Sequence, residues 1–251
     1  MAVNNSREAM RIDILPNGPY KVSGGVPLNI VNIVRNADGE AVDWKELHEL
    51  PKKDVYMLCR CGKSKNKPYC DGAHVAAGFD GTETASKELF EQGAERIAGE
   101  GIVLHDKPEL CVGAEFCDRL GGVWNLTQMT EENCGVKNPE EAAAYVQKAQ
   151  EIATEQACHC PSGRLVMHKL TGEHDLIIEP NFDPPSIALI EDASFGLSGA
   201  LWVRGNVPIF DADGEPYEVR NRVTLCRCGA SNNKPYCDGR HYSIKFDDGL
   251  Q

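Results

Sequence analysis

The sequence lacks the features that direct a chain into a membrane or out of the cell. Its apolar runs fall short of the ~18–20 residues that a transmembrane helix needs. The first residues, MAVNNSREAMRIDILP, lack the basic start, the apolar stretch and the small-residue cleavage site of a secretory signal peptide. We therefore expect a cytoplasmic protein without a membrane partner. In such a reducing compartment, closely spaced cysteines bind metal or carry out redox chemistry more often than they form disulfides.

Positive charge is also scarce. The chain of 251 residues has 26 Lys and Arg against 38 Asp and Glu, a formal net charge of -12. A nucleic acid partner is not expected, because nucleic acids require a basic face. The sequence has no phosphate-binding loop, no dinucleotide fingerprint and no recognisable nucleophile motif, so an enzyme is not the expected class.

Cysteine, in contrast, is abundant and repeated in pattern. The segments LCRCGKSKNKPYCDGAH, 58–74, and LCRCGASNNKPYCDGRH, 225–241, carry the same potential metal ligands. Each ligand of the second segment lies 167 positions after its counterpart, as 226 lies after 59. The two ligand sets are Cys59, Cys61, Cys70 and His74, and Cys226, Cys228, Cys237 and His241.

The regions upstream of the two segments are also related, so two similar modules bracket a different one. Both modules read as short strands separated by Gly, Pro and Asp-Gly turns: YKVS, LNIVNIV and DVYMLC in the first, LWVR, VPIF and YEVRNRVTLC in the second. The predicted fold class is a β-rich α+β protein with three domains, 12–82, 95–180 and 187–251. A linker is predicted near 179–186, where three prolines interrupt regular structure.

The middle module has one strong helix signal. In NPEEAAAYVQKAQEIATEQA, 138–157, Asn138 is a good N-cap, Pro139 suits the first helical position, and two glutamates follow in the first turn. The flanking segments GVWNL, RLVMHKL and DLIIEP are predicted to be strands.

The repeated pattern, C-x-C-x2-S-x3-P-x-C-D-G-x-H, resembles the CDGSH iron-sulfur domain (NEET) family. The resemblance implies two small β modules, each holding one [2Fe-2S] cluster through three cysteines and one histidine. It also implies that the modules pair about a pseudo-two-fold axis, here within one chain, which predicts a monomer. Arg240 departs from the small residue that is usual in the family, which affects local packing more than ligation.

The donor types agree with that resemblance. Thiolates suit iron-sulfur clusters, and a neutral imidazole in place of one thiolate raises the reduction potential. Because acid competes with iron for the imidazole nitrogen, we expect pH-sensitive cluster release. A structural zinc site is the alternative, since three cysteines and one histidine are also a zinc ligand set.

The middle segment offers a second kind of site. Cys111 and Cys117 in CVGAEFC, together with Cys160 before Pro161, resemble the ligands of single-cluster bacterial ferredoxins, and Ala114 replaces the usual middle cysteine. Three cysteines favour [3Fe-4S], whereas the related divergent family is usually described as [4Fe-4S]. Cys158 is the nearest candidate for a fourth ligand, and His159, Asp118 and Cys134 are poorer ones. Inert buried cysteines in a decayed ferredoxin fold are the alternative.

Other cysteines and histidines lack ligand spacing. Cys134 is expected to be structural or incidental, and solvated or hydrogen-bonded roles are expected for His48, His105, His168 and His174.

Three functions remain open from the sequence. The first is electron transfer to or from a redox partner protein, a reductase or an acceptor. The second is cluster donation to an apo-protein, or redox or pH sensing. The third is an interaction module stabilised by zinc.

Overall fold

The computed structural model describes residues 10–172 and 174–250, so Glu173 of the second predicted domain and Gln251 of the third lie outside the described residues. The described chain is strand-rich and mixed α+β, as predicted. Its strands are β1 (Arg11–Ile14), β2 (Tyr20–Ser23), β3 (Leu28–Arg35), β4 (Ala41–Glu49), β5 (Val55–Leu58), β6 (Glu95–Ala98), β7 (Ile102–Asp106), β8 (Leu165–Leu170), β9 (Asp175–Ile178), β10 (Ser186–Asp192), β11 (Leu197–Arg204), β12 (Ile209–Phe210) and β13 (Arg222–Leu225). Its α-helices are α1 (Ala73–Ala76), α2 (Phe90–Gly93), α3 (Val123–Thr127), α4 (Pro139–His159) and α5 (Arg240–Ser243).

Two of the three sheets combine strands from the two ends of the chain. The first sheet has the order β12-β1-β2-β5, and the second has the order β13-β11-β10-β3-β4. In the first, β1 and β12 run parallel with Ile12 opposite Ile209. In the second, β3 and β10 run parallel with Ile30 opposite Leu189. The two related segments therefore build a shared core.

That shared core explains the strand patterns. Strand β2 alternates between buried and half-buried residues, while β10 and β11 are buried almost throughout. A period of two with one buried face is typical of a strand that packs on one side only, whereas continuous burial is typical of a strand covered on both faces. Tyr20, Ile30, Leu189 and Leu225 are fully enclosed where the two sheets meet.

The middle segment forms its own antiparallel sheet, β6-β7-β8-β9, covered by α3 and α4. The predicted helix is confirmed: the Asn138 side chain accepts hydrogen bonds from the amides of Glu140 and Glu141 at 2.9 and 3.2 Å, and the helix ends at His159. Ala149, Ala153 and other small buried residues face Leu104 and Met167 of the sheet, which allows α4 to pack closely.

Two strand predictions were wrong in detail. GVWNL forms α3 instead of a strand, with Val123 and Leu126 buried on one face and the Thr127 hydroxyl donating to the Val123 carbonyl at 2.7 Å. A short apolar run is compatible with a helix or a strand, and packing against α4 decides between them. In YEVRNRVTLC, only Arg222–Leu225 is a strand.

Among the described residues, no helix combines the length and the apolar character that crossing a bilayer requires.

Candidate functional site

The first ligand set converges in the loop that follows β5. The Sγ atoms of Cys59 and Cys61 lie 3.8 Å apart, and the Cys70 Sγ lies 3.5 Å from the His74 Nδ1. A tetrahedral ion with metal–sulfur bonds of about 2.3 Å holds two sulfurs about 3.8 Å apart, and one sulfur and one imidazole nitrogen about 3.5 Å apart. The two pairs therefore have the separations that a metal ligated by each pair requires.

The second ligand set repeats this arrangement after β13. The Sγ atoms of Cys226 and Cys228 lie 3.6 Å apart, and the Cys237 Sγ lies 3.3 Å from the His241 Nδ1. Thiols and an imidazole at these separations fit iron-sulfur clusters and fit zinc equally well by distance alone.

Serine and tyrosine hold the turn of each loop. The Ser64 hydroxyl donates to the Tyr69 carbonyl at 2.6 Å, and the Ser231 hydroxyl donates to the Tyr236 carbonyl at 2.7 Å. These bonds satisfy backbone carbonyls that are not part of a regular strand ladder, so the loops keep one conformation.

Aspartate positions each histidine. The Asp71 carboxylate accepts a hydrogen bond from the Ala73 amide at 3.0 Å, and Asp238 accepts one from the Arg240 amide at 3.2 Å. Both bonds satisfy an amide in the first turn of the short helix that carries the histidine. Backbone donors also lower the pKa of Asp71, with the Lys65 amide contributing most.

A buried arginine between the paired cysteines was not anticipated from the sequence. Arg60 donates to the Gly81 carbonyl at 2.5 Å. Its counterpart Arg227 donates to Glu191 at 2.7 Å and also pairs with Asp248. The sequence did contain a signal for these arginines, because an arginine lies between the two cysteines of C-x-C in both copies, 167 positions apart. Burial raises the pKa of Cys237, and the positive charge of Arg227 opposes that increase.

The two sites differ in exposure. Cys237 and His241 are only 2% and 4% exposed, whereas Cys70 and His74 are half-buried. The cover of the second site comes from the middle segment: a Cβ placed on Gly239 would meet the Cys111 carbonyl at 3.6 Å. The Tyr242 ring, beside His241, also lies against Gly113.

Burial sets the protonation of the second site. It lowers the pKa of His241 to about 4, assisted by Arg227 and opposed by Asp238. The hydrogen bond from Cys228 lowers the pKa of Cys226 to about 6 and raises that of Cys228. Burial also raises the pKa of Cys237, whereas a thiolate and a neutral imidazole are the forms that bind metal.

The two loops contact each other directly. Cys61 and Cys228 form an isolated antiparallel bridge. A Cβ on Gly62 would lie 2.4 Å from the Cys228 carbonyl oxygen, and one on Gly229 would lie 2.5 Å from the Cys61 carbonyl oxygen. Only a residue without a side chain permits this approach on either side.

The three cysteines predicted for the middle site line one small pocket. Cys111 and Cys117 lie on the 111–117 loop, and Cys160 follows the end of α4 beside Pro161. Burial raises the pKa of Cys117 to about 12, with further contributions from Asp118 and Cys160. A pocket walled by three cysteines and mostly apolar neighbours, with Arg164 as a positive charge, suits an iron-sulfur cluster better than a small polar ligand.

Arg164 is a wall residue of this pocket that the sequence did not reveal. It forms a two-pronged ion pair with Asp106, at 2.6 and 2.8 Å, and Asp106 also accepts from the Trp124 indole at 2.9 Å. Burial opposes its charge, yet Asp106 and Cys111 together raise the pKa of Arg164. This fixed positive charge offsets the negative charge of neighbouring thiolates.

The candidates for a fourth ligand lie in different places. Cys158 does not line the pocket, and its Sγ lies 4.0 Å from the Ile178 carbonyl oxygen. His159 stacks on Phe116, outside the pocket wall, and the Cys134 thiol donates to the Glu131 carbonyl. Asp118 lies beside Cys117, with a carboxylate oxygen 3.8 Å from the Sγ.

The segments that carry these residues match two known families. The family described as iron-binding zinc finger CDGSH type matches residues 17–75 and 198–242, and the family described as divergent 4Fe-4S mono-cluster matches residues 97–170. The chain is 40% identical over 43 residues to the CDGSH iron-sulfur domain-containing protein 2 homolog of Drosophila willistoni, which covers 17% of this chain and 31% of that protein. The homolog of Drosophila virilis is 40% identical over 47 residues, 19% of this chain and 34% of that protein.

These matches span about a third of the length of the curated relatives. No solved structure matches the chain significantly.

The ligand loops and the family matches define the class: this is an iron-sulfur-binding protein. More particularly, the chain carries two CDGSH iron-sulfur domains with a divergent single-cluster ferredoxin-like domain between them.

Proposed function

We propose that this chain is an electron-transfer protein and not an enzyme. Each CDGSH loop holds a [2Fe-2S] cluster through its three cysteines and one histidine. The pocket of Cys111, Cys117 and Cys160 holds a [3Fe-4S] or [4Fe-4S] cluster. When bound, these clusters supply one-electron redox chemistry.

The observation that carries the proposal is the contact between the middle loop and the second CDGSH loop. The Cys111 carbonyl approaches Gly239, and Val112, Ala114 and Phe116 pack in one apolar group with the ligand Cys237. Packed apolar side chains therefore lie between the ligand set of the middle site and that of the second CDGSH site. An electron carrier requires its redox centres to lie close together, so that electrons can pass between them. A module that binds metal only for stability has no such requirement.

The pairing of the two CDGSH modules within one chain is part of the proposal. It is supported by the reciprocal approach of Gly62 and Gly229 and by the parallel pairs β1–β12 and β3–β10. Because each module already has its partner in the same chain, we propose a monomer with internal pseudo-two-fold symmetry.

The net charge suggests the type of redox partner. With a net charge of -12, the chain is suited to a reductase or acceptor with a basic docking face, which accelerates association at low salt. We place this exchange in a reducing compartment such as the cytoplasm, where the many free cysteines remain reduced.

A second function is favoured by one feature of the first CDGSH site. Cys70 and His74 are half-buried, and Val75 next to them is 77% exposed. An apo-protein could reach these ligands directly, which supports cluster donation or sensing at the first site alone.

An anaerobic preparation tests the electron-transfer proposal. We expect iron and acid-labile sulfide in multiples that match three clusters, visible absorption, and reversible reduction by dithionite with new EPR signals from the two CDGSH sites. Zinc without sulfide would contradict the proposal and favour the zinc-stabilised module. Transfer of iron and sulfide to an apo-ferredoxin, without reversible reduction, would favour cluster donation.

Histidine substitution tests the ligand roles. His74→Cys and His241→Cys are each expected to retain a cluster and to lower the reduction potential of the altered site, because a thiolate adds negative charge that an imidazole does not. Potentiometric titration followed by EPR measures the change. His48→Cys, on the exposed part of β4, is the matched control and should leave every potential unchanged. Unchanged potentials in both histidine variants would refute the assignment.

A further inference from the structure

A second type of ligand cluster lies on the middle sheet, away from the cysteines. His105 on β7 and His168 on β8 lie on adjacent antiparallel strands, with His105 opposite Val166 and His168 opposite Val103. Their rings stack with centroids 4.0 Å apart. Glu91, on α2, reaches both: its carboxylate oxygens lie 2.6 Å from the His105 Nδ1 and 3.5 Å from the His168 Nε2.

The position on the sheet explains why these side chains meet. Leu104 and Met167 point into the core under α4, so strand alternation directs His105 and His168 to the opposite face. That face is closed by the segment carrying α2, whose Phe90 is buried in the shared core and brings Glu91 above the two rings. One donor atom from each of the three residues lies within 4.8 Å of the other two.

The imidazole nitrogens are left without hydrogen-bond partners. His105 and His168 are only 2% and 4% exposed, yet within the described residues 10–172 and 174–250 both ring nitrogens of His105 and the Nε2 of His168 have no hydrogen-bond partner. The close His105–Glu91 contact is not aligned as a hydrogen bond. A buried polar atom without a partner is destabilising, so three such atoms in one cluster require an explanation.

Burial lowers the pKa of His168, and the neighbouring His105 lowers it further, while Glu91 acts in the opposite sense. The other charged groups that act on His168 are Arg96 and Asp175, which pair with each other at 3.5 Å. Neutral imidazole is the form that ligates a metal.

We propose that Glu91, His105 and His168 form a binding site for a divalent transition-metal ion of the zinc type, separate from the iron-sulfur sites. Two imidazoles and one carboxylate are a known zinc ligand set. Ligands at about 2.0–2.1 Å in tetrahedral geometry lie about 3.4 Å apart. The His168–Glu91 separation of 3.5 Å matches this value, and the His105–Glu91 contact of 2.6 Å has to lengthen when a metal enters between the two groups. Three protein donors leave a position for water on the side of Glu91, whose side chain is 50% exposed.

The site also explains two histidines for which solvated or hydrogen-bonded roles were expected. Their spacing in the sequence, 63 positions, resembles no metal motif, because the cluster is assembled across two strands and a helix. A metal there would join α2 to the middle sheet, and hence the shared core to the middle module, through bonds to all three residues.

Zinc binding to the cluster-loaded protein tests the proposal. We expect equilibrium dialysis against Zn²⁺, followed by elemental analysis, to show one zinc per chain with no loss of iron. Glu91→Gln should weaken zinc binding by about tenfold or more, since it removes the only negative charge among the ligands. Glu88→Gln removes the same charge from an exposed position three residues earlier and should leave zinc binding unchanged. His168→Gln should abolish it.

The coordination shell provides a second readout that does not depend on protein stability. Zinc absorption-edge spectra of the wild type should show only nitrogen and oxygen ligands at about 2.0–2.1 Å, without the sulfur shell at about 2.3 Å that binding to cysteine would give. A sulfur shell, equal zinc binding by wild type and Glu91→Gln, or no bound zinc would each overturn the proposal. Unchanged iron content in Glu91→Gln would show that its loss of zinc does not come from a failure of the electron-carrier proposal.

Discussion

The first CDGSH site is expected to lose its iron to a chelator about tenfold faster or more than the second. Release requires the ligands to open to solvent, and the free energy of local opening is lower where fewer groups cover the site. Cys70 and His74 are already half-buried, whereas the 111–117 loop covers Cys237 and His241. A tenfold rate ratio corresponds to only about 1.4 kcal/mol of additional opening free energy. Iron release to an excess of chelator, followed over time under anaerobic conditions, measures both rates.

Variants assign the phases and test the cause. Cys70→Ser should remove the fast phase, and Cys237→Ser the slow one. Tyr242→Val introduces the residue found at the equivalent position 75, and should accelerate the slow phase by opening the contact with Gly113. Val75→Ala is the matched control in the first loop, where the side chain is 77% exposed, and should change neither rate. Equal rates in the wild type would refute the explanation from exposure.

The sequence predicted which residues are candidate ligands of the two CDGSH loops, but not the difference between the surroundings of the two loops. The spacing of Cys59, Cys61 and Cys70 makes these cysteines recognisable in the sequence, because a ligand loop of fixed geometry requires fixed intervals between its ligands. The cover over Cys237 comes from residues more than a hundred positions earlier, and no local pattern encodes that contact. The same reason explains Glu91, His105 and His168, which meet through strand register and not through spacing.

Secondary structure was predictable where local and tertiary preferences agree. Helix α4 has its own N-cap, an acidic first turn and a regular buried face, so its local sequence and its tertiary contacts both favour a helix. The segment GVWNL lacks such signals, and its contacts with α4 decide its form. The shared sheets were beyond prediction in detail, since the register of β1 on β12 depends on segments almost 200 positions apart.

Cys158 illustrates a limit of ligand prediction from proximity in sequence. It lies two residues before Cys160, yet residues on a helix two positions apart point in different directions. At the end of α4, Cys160 faces the pocket while the Cys158 Sγ faces the Ile178 carbonyl. This placement gives no support to Cys158 as fourth ligand.

Replacing Gly62 or Gly229 by alanine is expected to separate the two CDGSH loops and to destabilise the whole protein. A methyl group at Gly62 would lie 2.4 Å from the Cys228 carbonyl oxygen, and one at Gly229 would lie 2.5 Å from that of Cys61. Backbone surrounds both positions, so neither neighbour can move without breaking the Cys61–Cys228 bridge. Overpacking and left-handed backbone together should cost about 3 kcal/mol or more. Thermal unfolding of the cluster-loaded protein should show a decrease in Tm of roughly 6–12 °C.

Gly39→Ala separates the effect of close approach from that of backbone conformation. Gly39 has the same positive φ, +85° against +71° for Gly62, but within the described part of the chain nothing lies within 4 Å of its Cβ position. Its substitution should therefore cost only the left-handed conformation, about 1–2 kcal/mol. Equal decreases in Tm for Gly62→Ala and Gly39→Ala would show that the two CDGSH loops do not make the close backbone contact described above. We expect Gly62→Ala to lower the Tm far more than Gly39→Ala and to release iron from both CDGSH sites together. That result would show that the two modules depend on one shared contact, because a change in one loop then disturbs the ligands of the other.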